Sequence, residues 1–133
     1  MSGIIKCPKC GAYTSLEQSK KLGEFLTKES SDACYWKNGD RIILCPYDNF
    51  YKKGQELEMN VTPCWSLGAL IKVMPKIYKE DECYIPLVGK YYEGGDKYIC
   101  GYFGDGLLQW SITDNPIDAC VEMIIWLKEN DKL

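Results

Sequence analysis

No histidine occurs anywhere in the chain. Serine and cysteine nucleophiles served by an imidazole base, His-ligated zinc hydrolysis and imidazole acid–base chemistry are thereby excluded. Arginine is nearly missing as well, with Arg41 the single example. Arginine supplies most forked contacts to phosphate and guanine. With 16 basic against 19 acidic residues the net charge is −3, so the composition argues against a nucleic-acid partner. No apolar run approaches the ~20 residues that a membrane-spanning helix needs. The opening Met1-Ser2-Gly3-Ile4-Ile5-Lys6 has no long apolar stretch of a signal peptide. A cytoplasmic setting is expected, with the eight cysteines kept as thiols rather than as a disulfide framework. Glycine-rich phosphate loops, low-complexity stretches and internal repeats are not evident in the sequence.

What is present suits one folded domain over residues 1–133. The length is typical of a domain, and an apolar fraction of 46% provides a core. Ser15 and Gln18 have the spacing of a capping box, predicting a first helix from there to about Lys28. Ala33–Lys37 and Arg41–Pro46 flank Asn38-Gly39-Asp40, the strongest short hairpin signal. Thr62-Pro63 reads as a cap and first-turn proline for a second helix over Pro63–Met74, ended by Pro75. Cys83–Val88, Lys97–Phe103 and Leu107–Thr113 alternate as three strands joined by glycine turns. Pro86 marks the first of them as an edge or a bulge. Asn115, Pro116 and Asp118 open a final helix with a broad apolar face. The expectation is a two-layer α+β fold, in which the hairpin and the three-strand meander form an antiparallel sheet with helices packed on one face.

Three constellations could carry function. Cys7-Pro8-Lys9-Cys10 at residues 1–12 has the spacing of one zinc knuckle, in which a tight turn brings two thiolates to one tetrahedral ion. Cys34 and Cys45 face each other if the hairpin turn has two residues, so Cys7, Cys10, Cys34 and Cys45 form a candidate zinc set. The competing reading makes them packed thiols. Redox use of Cys7/Cys10 lacks the preceding strand–helix unit it needs. Cys64, Cys83, Cys100 and Cys120 read as core residues. Tyr98, Cys100 and Tyr102 share a strand face, where aromatic packing is favoured over nucleobase stacking because no basic residues interleave. Tyr47, Phe50, Tyr51 and Trp65 gather around a long loop and form the candidate partner surface, since Tyr and Trp are enriched at interfaces.

Two segments carry a resemblance. Pro63-Cys64-Trp65-Ser66-Leu67-Gly68-Ala69-Leu70-Ile71-Lys72-Val73-Met74-Pro75 and Asp114-Asn115-Pro116-Ile117-Asp118-Ala119-Cys120-Val121-Glu122-Met123-Ile124 resemble short uncharacterised proteins of prophages and mobile elements in anaerobic gut bacteria. The resemblance implies a bacterial cytoplasmic setting and an accessory role, and lends no site residues. The expected function is non-enzymatic protein–protein contact. The alternatives are a zinc-stabilised adapter that touches nucleic acid through its sheet, and an enzyme working without histidine.

Overall fold

A computed structural model of the chain describes residues 4–6, 13–38, 40–46 and 61–133. Helices and antiparallel strands make it an α+β protein, as expected. The strands do not join into one sheet. They form two four-stranded sheets, and the chain divides into two compact units, Met1–Ala69 and Leu70–Leu133, where length alone leads to one domain.

The first unit holds β1 (Ile4–Lys6), α1 (Leu16–Leu22), a 3-10 turn at Lys28–Ser30, β2 (Ala33–Asn38), β3 (Arg41–Pro46) and β4 (Val61–Cys64). Its sheet runs in the order β1-β3-β2-β4. The hairpin register pairs Asn38 with Arg41 and Cys34 with Cys45, which is the two-residue turn the Asn-Gly signal implies. β1 lies parallel to β3, pairing Ile4, Ile5 and Lys6 with Ile42, Ile43 and Leu44. That parallel pair is a departure from the expected antiparallel sheet. The capping box is present in full: Gln18 N–H donates to Ser15 Oγ at 3.1 Å and Ser15 N–H to Gln18 Oε1 at 2.9 Å. The helix stops at Leu22, because Gly23 takes the capping position and lowers helix propensity there.

The second expected helix is shorter than its sequence signal. Val61–Cys64 is strand β4, and α2 covers Leu67–Val73, spanning the division between the units. Ser66, not Thr62, supplies the cap. Its Oγ accepts from Ala69 N–H at 3.2 Å, and Asp32 accepts from both the Ser66 N–H (2.9 Å) and hydroxyl. The carboxylate that fixes this helix start lies 34 residues upstream, out of reach of local reading.

Ala33, Tyr35, Leu44 and Cys64 form an apolar cluster on one face of the first sheet, with Tyr13, Leu16 and Ile42 against it. Beside it runs a buried polar network. The Thr14 and Ser19 hydroxyls are 2.7 Å apart, Tyr35 Oη donates to the Thr14 carbonyl at 2.7 Å, and Trp65 N–H donates to Thr14 Oγ1 at 3.1 Å. Burial pushes the Tyr35 phenol up to about 12, with nearby Cys64 adding to the shift.

The second unit is a meander, β5 (Ile77–Lys79), β6 (Glu82–Lys90), β7 (Tyr98–Gly104) and β8 (Gly106–Thr113), in spatial order β5-β6-β7-β8. The short β5 was not expected. It pairs only with Glu82–Tyr84 of β6, so Pro86 lies beyond its end on an open edge, where a missing N–H costs no ladder bond. Gly106, at φ +102°, closes the tight β7–β8 turn in a conformation that favours glycine. Helix α3 (Pro116–Glu129) has Asn115 as N-cap, accepting from Asp118 N–H at 2.8 Å, with Pro116 in its first turn. It buries Ile117, Ala119, Cys120, Val121, Met123, Ile124 and Leu127. Burial of each large side chain contributes about 1.5–3 kcal/mol, which is why one helix suffices to cover this sheet on one side.

Candidate functional site

Alternation along β7 decides which side of the second sheet is covered. Cys100 and Tyr102 are fully buried on the α3 side. The Cys120 thiol hydrogen-bonds to Cys100, whose Sγ lies 3.9 Å from Met74 Sδ, and Tyr102 Oη donates to the Pro75 carbonyl at 2.7 Å. The hydrogen bond to Cys100 and burial hold the Cys120 thiol protonated, while the same bond lowers the Cys100 thiol; both sulfurs are fully buried and pack in the core. Desolvation likewise raises the Tyr102 phenol. Packing therefore prevails over nucleobase stacking at these positions.

The opposite side carries Ile85 and Leu87 from β6 and Leu107, Trp110 and Ile112 from β8. They are 41%, 49%, 40%, 48% and 37% exposed. Gly101 lies among them on β7. A Cβ there would stand 3.0 Å from Trp110 Cβ and 3.3 Å from Leu107 Cδ1, so glycine lets both β8 side chains lie down over the sheet. Cys83, expected in the core, is exposed on this unit.

β8 ends the sheet, and its two margins differ in how they are guarded. On the far side, β5 is three residues long and includes Lys79, and Pro86 occupies the open stretch of β6. Short strands, lysine and proline are the usual protections of a sheet edge. β8 has none of them: Gly-Leu-Leu-Gln-Trp-Ser-Ile-Thr is eight residues without charge or proline. Among the described residues no strand pairs with its outer side. A groove of about 410 Å³ follows it, lined by Gln109, Trp110, Ser111 and Ile112 from β8 and by Glu122, Met123 and Trp126 from α3. Ser111 Oγ donates to Glu122, fixing that carboxylate at the groove wall. Residues 70–133 hold seven Lys against eleven Asp and Glu, a net of −4, whereas residues 1–69 have a net of +1.

The residues singled out from sequence fare differently. Trp65 is fully buried, and its Nε1 donates to Ser30 Oγ at 3.0 Å. It is a core residue of the first unit and presents no indole to a partner. The local sequence reads as a helix start, but Trp65 follows strand β4 (Val61–Cys64) and is buried directly after it. Tyr47, Phe50 and Tyr51 lie outside the described residues, as do Cys7 and Cys10. Cys34 is fully buried on β2, directly across from Cys45 in the backbone register. Among the described residues no group of three or more Cys, Asp or Glu is placed to hold a metal ion. No helix among them is long and apolar enough to cross a membrane. The exposed β8 face was missed because Leu107, Trp110 and Ile112 look in sequence like a half-buried central strand. The available signal was its lack of any charged residue.

Comparison with protein-family models, with curated proteins and with solved structures gave no match.

Proposed function

We propose that the chain is a non-enzymatic accessory protein that works by protein–protein contact, with β8 as the strand to which a partner adds. One observation carries the reading: among the described residues the sheet is blunted at β5 and Pro86 but left bare, uncharged and grooved at β8. An added strand satisfies the backbone groups of the edge, while alternate side chains enter flanking pockets and give selectivity. The occupant that fits is an extended segment of a partner protein, apolar at alternate positions and carrying Lys or Arg. The apolar positions suit Trp110, Ile112, Met123 and Trp126. The basic ones suit Glu122 and the acidic balance of residues 70–133. The resemblance to mobile-element proteins is in keeping with such an accessory role.

The test is selection of displayed random peptides about as long as β8 against the intact chain. Enriched sequences should alternate apolar and basic residues. Their affinity should fall at least about tenfold in Ile112→Lys and be unchanged in Tyr78→Lys, which alters the far margin of the same sheet. Failure to enrich such sequences, or equal binding by Ile112→Lys, would overturn the reading. A wild-type chain that instead forms a dimer broken by Ile112→Lys would replace the partner segment with a second copy.

A further inference from the structure

The face of the second sheet turned away from α3 is apolar from one margin to the other. Pairing sets Leu87, Gly101 and Trp110 in one row across it and Gly89, Ile99 and Ile112 in the next. Tyr78, 73% exposed, stands on the same face through its pairing with Cys83. No residue that the registers of β5 to β8 place on this face is charged. With the half-exposed Ile85, Leu87, Leu107, Trp110 and Ile112, Tyr78 leaves roughly 700 Å² of apolar side chain open, above the ~300–600 Å² of the largest patch on an ordinary monomer. Only Trp110 and Ile112 of this set also line the β8 groove.

We infer that the chain pairs with a second copy of itself through this face, stacking two sheets into a sandwich. Apolar faces of antiparallel sheets pack about 10 Å apart with their side chains interdigitated. Charge selects the occupant. Residues 70–133 have a net charge of −4, so two copies repel where their charges meet, and this face holds none. A lipid surface calls for basic residues around an apolar patch, and this unit is acidic. Shape agrees. Gly89 is exposed, and a Cβ there would meet nothing within 4 Å, whereas Leu107 and Trp110 lie over Gly101. The face is therefore hollow at Gly89 and raised elsewhere. A two-fold axis along β7 sets Ile112 of the second copy over Gly89, and an axis across β7 sets Ile85 there. Either closes the hollow, and symmetry makes each closure occur twice. Two copies would together bury about 1,400 Å², within the ~1,200–2,000 Å² of specific interfaces.

Sedimentation equilibrium of the full chain over micromolar concentrations tests this, and it needs no peptide, so it stands or falls apart from strand addition at β8. Wild type should sediment as a dimer. Leu87→Lys, on β6 and outside the groove, should sediment as a monomer with unchanged far-ultraviolet circular dichroism, since an exposed strand position accepts lysine in a single chain. Gly89→Phe should weaken the dimer at least about tenfold, because the ring fills the hollow that the second copy needs. Non-specific apolar association would instead be strengthened by that ring. A monomeric wild type, a dimer that survives Leu87→Lys as edge-to-edge pairing through β8 would, or tighter association in Gly89→Phe would overturn the inference.

Discussion

The two units solve the problem of a small core by different chemistry. Residues 70–133 use a four-stranded meander, ending in the uncharged β8, and one 14-residue helix whose inner face is almost wholly apolar. Residues 1–69 have a seven-residue helix, a three-residue outer strand and a polar network of Thr14, Ser19, Tyr35 and Trp65 within the core. Units of this size sit near the limit at which hydrophobic burial alone holds a fold. The comparison teaches that the second unit can leave a face and an edge exposed for contact, because α3 already supplies its burial.

The largest effect that separates them is a truncation in each core. Leu127→Ala, which empties a fully buried site, should destabilise the second unit by about 2–5 kcal/mol. Thr14→Val removes a hydroxyl shared by Ser19 and Trp65 and should cost the first unit about 1–3 kcal/mol. Denaturant melts that reversed this order would show that the polar network, not the helix, dominates.

How far the sequence revealed these units depends on how local each signal is. The Ser15 box, the Asn38–Arg41 hairpin register and the Asn115 cap are written within four residues of each other, and all three form. Thr62-Pro63 looked like a helix start because the decisive partner, Asp32, acts on Ser66 from another element. The separation into two sheets and the parallel β1–β3 pair are long-range facts of the same kind. Trp65 was expected at a surface because aromatic composition says nothing of facing. The bare edge of β8 is an absence of charge, legible only once its position in the sheet is known.

A smaller effect sharpens the contrast at high pH. The Tyr35 phenol is raised by burial to about 12 from an ordinary value near 10. The folded state therefore holds its proton more tightly than the unfolded state. That stabilisation is fully present below pH 10 and declines as pH rises from 10 through 12. In Tyr35→Phe the first unit should be less stable at neutral pH by about 1 kcal/mol, having lost the bond to the Thr14 carbonyl, and its loss of stability across that alkaline window should be shallower than in wild type. An identical alkaline slope would assign the effect to other groups.

The central claim is that a partner adds as a strand to β8. Hydrogen exchange of the backbone amides of Gly106–Thr113, measured with and without a saturating selected peptide, tests it most directly. Strand addition predicts slowed exchange at alternate β8 amides, those facing outward, with β5 unaffected. Tight binding that leaves every β8 amide exchanging at its free rate would contradict it.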